Sequence, residues 1–386
     1  MDFGLSEEQQ RIREAIAKLC TRFPDDYWLA RDRASEKGEK AGGFPADFHQ
    51  AMARDGWLGI AMPEEFGGAG LGIAEAAVMM QAIAESGAGF SGASAIHMNI
   101  FGLNPVVVFG NQEQKERMLP PLIAGRHRAC FAVTEPNTGL NTKKIKTKAE
   151  KRGDRYIVSG QKVWISTAQV AEKVLLLATT NAGLTLFYTD LDRRHVEVRE
   201  IDKMGRHAVD SNQVFFDALP VPEEDRVGEE GRGFEYILHG MNPERILIAA
   251  ELVGLGRCAV TRAAAYAKER IVFDRPIGQN QAIQHPLAAN WMALEAASLM
   301  AFKAAWLYDS GKPCGAEANA AKYLAGEACF DACQQAVMTH GGFGYAREYH
   351  VERYLRESFV GRIAPVSREL ILCFIAERVL GLPKSY

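Results

Sequence analysis

The stretch CFAVTEPNTGLNT, residues 130–142, is where the pattern of this chain changes and its fold is decided. Cys130–Thr134 is an apolar run of strand length, whereas the residues before it have mainly helical spacing. The Pro, Asn and Gly that follow make a fixed loop in which hydroxyls and backbone N–H groups can face outward. Such a loop is either an ordinary turn or a seat for an anionic or heteroaromatic ligand.

Downstream of this loop, short strands follow one another without helices between them. They are separated by Gly-Asp, Asn-Ala-Gly and Asp-rich turns, and they lie at Cys130–Thr134, Tyr156–Val158, Lys173–Ala178, Leu184–Tyr188, Val196–Arg199 and Gln213–Phe216. The pattern predicts that residues 129–228 form an antiparallel sheet or small barrel. No GxGxxG follows a strand, so a dinucleotide would have to be held without a Rossmann unit.

The zones on both sides of the strands have helical periodicity. Residues 1–128 open with a capping-box sequence at Ser6–Gln9, and further helices start near Phe44, Ile73 and Gln112. Residues 229–386 contain long periodic segments at Gly233–Lys268, Asn280–Ser310, Gly315–His340, Glu348–Glu357 and Ser367–Leu380. The sequence therefore predicts a multi-domain α+β protein: an N-terminal α domain (1–128), a middle β domain (129–228) and a C-terminal four-helix bundle (229–386).

Composition and charge exclude several classes of protein. The chain has 386 residues, of which 47% are hydrophobic, and its net charge is −3, so no strong positive field recruits nucleic acid or an anionic membrane. No uninterrupted apolar run reaches the roughly 20 residues that cross a bilayer. The acidic, amphipathic start lacks the apolar core of a signal peptide, so we expect a cytoplasmic protein. A trimmed organellar protein would share these features.

The seven cysteines contain no CxxC pair. Cys329 and Cys333 are one helical turn apart, which is compatible with a metal or redox pair or with two small buried residues on one helix face. The second interpretation is favoured, because thiol ligands come with further Cys or His at short spacing. We therefore predict no metal site.

Three further motifs each allow two interpretations. GQKVWISTA (160–168) places a Trp and two hydroxyls at a strand end, as a buried aromatic or as a wall for a flat ring. GGFGY (341–345) ends a helix, as a cap or as a place for close ligand approach. RIVFDRPIG (270–278) links two long helices, with solvated arginines or with cations for a phosphate.

The order and spacing of these motifs resemble the acyl-CoA dehydrogenase family of flavoproteins. The resemblance runs over nearly the whole chain and is carried by FAVTEPNTGLNTKKIKTKAE, GQKVWIS, VGEEGRGF, AKERIVFDRPIGQNQAIQHPLA and HGGFGYAREYHVERYLRE. It implies that FAD is held between the β domain and the C-terminal bundle. It also implies oxidation of an acyl-CoA thioester to the 2-enoyl-CoA in fatty acid β-oxidation, electron transfer to an electron-transfer flavoprotein, and a homotetramer built as a dimer of dimers.

The resemblance also implies which residues form the site. Those expected at the isoalloxazine ring and the pantetheine mouth are Phe131, Val133, Thr134, Gly139, Leu140, Trp164, Ile165 and Ser166. Those expected to hold the adenylate end of FAD across the dimer are Arg270, Phe273, Asn280, Gln281, Gly341 and Gly342, and Val366 is a further cofactor residue. Asn242, Arg245 and Leu140 are expected to meet the substrate.

The general base is where this chain departs from most of the family. Medium- and short-chain members carry a glutamate in a loop like Tyr-Glu-Gly-Thr-Ser, but the matching stretch RIAPVS (362–367) has Ala364 in the catalytic position. The isovaleryl-CoA and long-chain members carry the base on the long helix, in a Leu-Glu-Arg pattern. Pro243-Glu244-Arg245 falls on that place, so the resemblance makes Glu244 the candidate base. Leu140 and Asp274 also depart from the family, replacing a serine and a glycine.

The stretch GMNPERILIAAELVG (240–254) leaves the local role of Glu244 open. Asn242 could cap a helix that begins at Pro243, with Glu244 complementing the helix dipole. Alternatively, the helix already runs from Gly233 and Pro243 kinks it, so that Glu244 points inward. Glu251, two turns on, is the reserve candidate.

Two other functions remain open at this point. The fold could serve an acyl-CoA oxidase or a desulfinase-like reaction, in which the flavin meets oxygen or the chemistry needs no strong base. It could also be a non-catalytic scaffold that binds CoA or flavin.

Overall fold

The computed structural model describes residues 4–34 and 43–385. The chain forms two compact units, each assembled from segments that are distant in sequence. We name the first the bundle unit (Met1–Ala30, Gly72–Ala93 and Asn242–Tyr386) and the second the sheet unit (Arg31–Leu71 and Ser94–Met241). The predicted three-zone boundaries stay a prediction.

The described residues contain thirteen α-helices. They are α1 Glu7–Cys20, α2 Asp25–Asp32, α3 Ala46–Arg54, α4 Ile73–Ile83, α5 Gly89–Phe101, α6 Asn104–Phe109, α7 Gln112–Ile123, α8 Gly233–Glu269, α9 Gln281–Asp309, α10 Gly315–His340, α11 Val351–Ser358, α12 Val360–Ile363 and α13 Arg368–Arg378. The capping box before α1 is confirmed: the Gln9 backbone N–H donates to Ser6 Oγ and the Ser6 N–H to Gln9 Oε1, both at 3.1 Å. Helices α2, α5, α6 and α12 were not predicted from the sequence.

The strands are β1 Ala129–Ala132, β2 Lys148–Arg152, β3 Arg155–Ser166, β4 Lys173–Thr180, β5 Gly183–Asp190, β6 Val196–Glu200, β7 Ser211–Pro222, β8 Arg226–Val227, β9 Ile271–Val272 and β10 Arg275–Pro276. The first eight form one sheet in the order β6-β7-β3-β2-β4-β5-β8, with β1 beside β4. The predicted strands are all present. Strand β2 was missed because its sequence, KAEKR, buries only Ala149 and carries no apolar alternation.

The prediction of an antiparallel sheet needs one correction. Strand β1 runs parallel to β4, with Ala129 opposite Lys173, and the single β2–β4 pairing is parallel as well, whereas the other pairings are antiparallel. Parallel neighbours need a long crossover connection. Residues 133–172 provide it, and they contain the TEPNTG loop (residues 134–139), β2 and β3. The loop is therefore part of a crossover rather than a hairpin turn.

The core of the bundle unit is rich in small residues. Helix α10 packs against α9, α11 and α13. A buried cluster with residues from α8, α9 and α10 includes Ala249, Ala259, Ala297, Ala301, Ala321, Ala325, Cys329, Cys333 and Ala336. Small side chains let helix backbones approach closely at the contact. Cys329 and Cys333 lie here with their sulfurs 3.9 Å apart and no exposed surface, in line with the packing interpretation.

A buried ion pair ties α11 to the start of α5 within the bundle unit. Arg353 and Glu357 are almost fully buried and lie 3.2 Å apart. Glu357 also accepts hydrogen bonds from the Phe90 N–H at 2.7 Å and the Ser91 hydroxyl at 2.6 Å. Because the carboxylate has these partners, its burial is compensated.

One helical stretch in the described residues, Ile73–Phe109, is long and apolar enough to cross a membrane by length and composition. Its most apolar window is 71% buried inside the protein, which is also what a core helix shows.

Candidate active site

The TEPNTG loop is held in place by the buried carboxylate of Glu135. Its Oε2 accepts from the Lys146 N–H at 2.6 Å, and its Oε1 accepts from the Thr147 hydroxyl at 2.6 Å and the Thr147 N–H at 2.9 Å. Burial acts to raise the pKa of Glu135, but these hydrogen bonds and the charge of Lys162 outweigh it and lower that pKa. Glu135 is therefore an ionised anchor for the loop.

Lys162 on β3 completes this anchor. Its ammonium group has no exposed surface and donates to Glu135 Oε1 at 3.0 Å and to the Val133 carbonyl at 2.9 Å. Burial lowers the pKa of Lys162 to about 8, against the opposite effect of Glu135. The pair joins the loop after β1 to the end of β3, so the two predicted flavin segments form one structural element.

The anchored loop presents its far side to solvent. Leu140 is 60% exposed, and Gly139 has open space where a side chain would begin. Val133, by contrast, packs in the core of the sheet unit. Of the residues expected to meet the flavin here, Val133 can therefore offer only its backbone, whereas Gly139 and Leu140 lie at the surface.

Trp164 is displayed rather than buried. The pairing of β3 with β7 shifts register between Lys162 and Ile165, and a bulge of this kind re-aims a side chain. Trp164 has φ +62° and is 60% exposed, although Trp is usually buried and a bulky residue rarely adopts positive φ. Ile165 next to it is buried in the core. Backbone strain of this kind is typical of functional positions.

Ser166, the last residue of β3, is bonded to an arginine that the sequence analysis missed. The guanidinium of Arg206 donates to Ser166 Oγ at 2.9 Å, to Ser211 Oγ at 3.3 Å and to Ser94 Oγ at 3.4 Å. Arg206 also has positive φ, +59°. No sequence signal marks it, because it comes next to Ser166 only through the pairing of β3 with β7.

The segment that carries Arg206 is itself held in place. The two ring nitrogens of His207 contact Asp32 Oδ1 at 2.8 Å and the Lys203 carbonyl at 2.6 Å. The buried Asp210 accepts from the Gln169 N–H at 3.0 Å. These contacts leave Arg206 little freedom to move away from Ser166.

In the bundle unit, the structure decides between the two local interpretations of Glu244. Helix α8 runs from Gly233 to Glu269 with Pro243 inside it, so Asn242 does not cap a helix that begins there. The dipole-complement interpretation is therefore wrong, and Glu244 lies within a continuous helix. Its side chain is only 8% exposed. Asn242 Oδ1 accepts a hydrogen bond from Arg245 at 3.2 Å, so the two predicted substrate residues are in contact.

Lys322 on α10 interacts both with Glu244 and with residues 362–367, the loop that lacks the family's glutamate. Its buried ammonium donates to the Val366 carbonyl at 2.6 Å, two residues after Ala364. Burial and the charge of Arg245 lower the pKa of Lys322 to about 8, and Glu244 acts in the opposite direction. Glu244 is therefore close enough to act electrostatically on the lysine that holds this loop.

Other acids near Lys322 are already engaged. Glu327 accepts from Arg362 at 3.0 Å and from Arg368 at 3.1 Å. Glu251, the reserve candidate, has no exposed surface in the core of α8. Ala364 offers only a methyl group. Of Glu244, Glu251 and Glu327, Glu244 is thus the best placed to meet a substrate.

The predicted adenylate residues form a separate group in the bundle unit. Strands β9 and β10 make a hairpin whose turn residues, Phe273 and Asp274, have φ +52° and +63°, and Phe273 is 93% exposed. Arg270 lies over the Phe343 ring at 5.4 Å, which joins the hairpin to the exposed glycines Gly341 and Gly342. Asn280 accepts from Arg275 at 2.8 Å, and Gln281 follows it at the exposed start of α9.

Each group, taken by itself, has features that suit part of a nucleotide cofactor. The sheet unit offers an exposed indole, the Ser166 and Thr134 hydroxyls and the outward side of an anchored loop, which suit a ring with a polar edge. The bundle unit offers Arg270 and two glycines without side chains, which suit a phosphate-bearing ligand that approaches the backbone closely.

Comparisons with known proteins agree with the resemblance to the acyl-CoA dehydrogenase family. Family models match the chain as the acyl-CoA dehydrogenase N-terminal domain (residues 6–126), middle domain (130–219) and C-terminal domain (231–380). The chain is 37% identical over 393 residues to acyl-CoA dehydrogenase fadE12 of Mycobacterium bovis, covering 99% of this chain and 98% of that protein.

Solved structures show the same fold. Butyryl-CoA dehydrogenase from Megasphaera elsdenii superposes with a TM-score of 0.92 at 28% identity, covering 98% of this chain and all of that one. A chain solved in work on the electron transferring flavoprotein of Acidaminococcus fermentans superposes with a TM-score of 0.93 at 29% identity, with the same coverage. The chain therefore belongs to the acyl-CoA dehydrogenase family, whose members are oxidoreductases that carry out FAD-linked dehydrogenation.

Proposed function

We propose that this enzyme oxidises an acyl-CoA thioester to the 2-enoyl-CoA, with Glu244 as the base that removes the α-proton. The observation that carries the proposal is the arrangement around Lys322. Glu244 acts on the same buried lysine that holds the carbonyl of Val366, beside Ala364, where related enzymes place their base. A carboxylate on α8 thus stands in for the one that the loop lacks.

Each predicted residue has a physical task in the proposed reaction. Bound FAD supplies a hydride acceptor for the β-hydrogen. Trp164, Thr134 and Ser166 would hold its ring, and Arg270 and Gly341 its phosphate-bearing end. Glu244 would accept the α-proton, and because it is largely buried, an apolar acyl chain that covers it would exclude the remaining water and make the carboxylate a stronger base. Arg245 and Asn242 would keep this turn of α8 in place.

The test is Glu244→Gln, assayed anaerobically by bleaching of the flavin absorbance with a panel of acyl-CoAs. We expect the variant to keep its FAD and its fold but to lose at least about 10²–10⁴-fold in the rate of bleaching, because a general base contributes that much. Glu251→Gln is the matched control on the same helix and is expected to keep most of the activity. A Glu244→Gln enzyme that bleaches at the normal rate would exclude Glu244 as the base.

We also propose that the electrons pass to an electron-transfer flavoprotein. The support is the similarity to a chain solved in work on such a flavoprotein. Reduced enzyme should be reoxidised quickly by an electron-transfer flavoprotein and slowly by air. Fast reoxidation by oxygen with release of peroxide would instead identify an acyl-CoA oxidase.

A homotetramer is the assembly that we propose. Helix α9 carries large apolar side chains on its exposed surface, with Trp291 56%, Leu299 53% and Trp306 56% exposed. Spacings of eight and seven residues place these three on one face of the helix. Such an apolar stripe is typical of a surface that another subunit covers.

A further inference from the structure

The contact between Arg206 and Ser166 sets the direction of a hydrogen bond. A guanidinium only donates, so at 2.9 Å the Ser166 oxygen must be the acceptor. A hydroxyl carries one proton, and that proton then points elsewhere. Within residues 4–34 and 43–385, the Ser166 hydroxyl accepts this hydrogen bond and donates none of its own. The Ser166 hydroxyl is therefore prepared to donate to a ligand.

The position of Ser166 indicates which ligand that is. It follows the bulge that turns the Trp164 indole outward, two residues away on the same strand end. The proposed function places the flavin ring here. The Ser166 hydroxyl would donate a hydrogen bond to the ring, and the always-charged Arg206 donates to the same hydroxyl. This arrangement favours electron density on the ring atom that accepts the hydrogen bond.

We propose that Arg206 is a positioning residue that fixes Ser166 as a hydrogen-bond donor to the flavin and thereby favours the reduced cofactor. The inference rests on the proposed placement of the flavin ring against Ser166. Arg206 itself need not touch the flavin, because it acts through the hydroxyl. Its own place is secured by Ser94 and Ser211, which accept from the same guanidinium.

Other charged residues lie near Arg206, and their effect on the flavin has to be distinguished from that of Arg206. Lys203 lies in the same segment, and burial together with Arg206 lowers its pKa to about 8. Asp210, Glu200 and Asp202 act on Lys203 in the opposite direction. A control that changes charge near Arg206 without touching Ser166 is therefore available in Lys203→Gln.

The experiment measures the midpoint potential of the bound flavin by equilibration with a reference dye, without acyl-CoA. Arg206→Gln should shift the reduction equilibrium about tenfold toward oxidised flavin, which is about 30 mV for a two-electron couple. Arg206→Lys, which keeps a charged donor, should recover part of the shift. Ser166→Ala should shift the potential in the same direction, and Lys203→Gln should change it much less.

A double variant tests whether Arg206 acts through the hydroxyl. In a Ser166→Ala background, Arg206→Gln should add less than half of its effect in the normal enzyme, because coupled residues are not additive. A fully additive shift, or an equal shift from Lys203→Gln, would overturn the proposal in favour of a general charge effect. FAD dissociation and thermal unfolding are measured alongside, and Ser166→Ala alone still tests the hydroxyl if Arg206→Gln does not hold FAD.

The outcomes also separate this inference from the proposed function. The potential does not depend on Glu244, so an inactive or reassigned base leaves the measurement intact. A visible flavin spectrum and potential that Ser166→Ala leaves unchanged would contradict the placement of the ring. If Ser166→Ala changes the midpoint potential and Arg206→Gln does not, the placement of the ring stands and only the role of Arg206 is contradicted.

Discussion

At the scale of single residues, this protein builds its site from buried charges that have partners. Lys162 with Glu135, and Lys322 with the Val366 carbonyl, are buried cations that each hold a loop. The sequence showed both lysines but gave no sign of their burial, because a lysine in a strand or helix is usually solvated. The carboxylate or carbonyl that satisfies each one is distant in sequence, so the fold has to bring it there.

The Lys162–Glu135 pair yields a prediction about stability. Lys162→Met should lower the free energy of unfolding by about 3–5 kcal/mol, because it leaves the Glu135 carboxylate buried without its cation. Urea unfolding of the apo-protein measures the change. The control is Lys151→Met on the neighbouring strand β2, which removes an exposed ion pair with Glu223. It should change the free energy of unfolding little. Adding Glu135→Gln should recover part of the loss, and no recovery would argue against the ion pair as its cause.

At the scale of elements, two local features override what the sequence pattern favours. Helix α8 continues through Pro243, although the pattern Asn-Pro-Glu is typical of a helix start. Strand β3 is interrupted by a bulge that sends Trp164 outward, although a Trp between apolar residues is typical of a core. In both cases the packing of neighbouring elements outweighs a local preference worth only a few kcal/mol.

Helix α3 places a histidine on its buried face, and this gives a pH prediction. His49 is 1% exposed, and burial lowers its pKa to about 4, against the raising effect of a hydrogen bond to Asn99. The unfolded chain then binds more protons than the folded one between about pH 4 and the ordinary pKa of about 6.5, so stability falls as the pH falls through this range.

The expected size of this effect is at most about 3 kcal/mol, from the difference between the two pKa values. Denaturant unfolding between pH 7 and pH 4 should give a shallower pH dependence for His49→Gln than for the unchanged protein. His239→Gln, at an exposed histidine, should leave the slope unchanged. Equal slopes for His49→Gln and the unchanged protein would mean that His49 is protonated in the fold.

At the scale of the whole molecule, the exposed stripe on α9 makes a prediction about assembly. Trp291→Glu with Trp306→Glu should lower the molecular mass found by light scattering, because charges on an apolar face oppose its burial against another subunit. Lys151→Glu, at an exposed residue of strand β2, should leave the mass unchanged. A monomer in the unchanged protein would contradict the proposed tetramer.

The sequence by itself determined the succession of helical, strand and helical zones, the family and the candidate base. These depend on periodicity and on motifs, which are local properties of a chain. Only the tertiary structure decided that β1 lies parallel to β4, that Glu244 is inside a helix rather than at its start, and that Arg206 meets Ser166. Each of these depends on contacts between residues far apart in sequence, and no local pattern records which side chains a fold will bring within hydrogen-bonding distance.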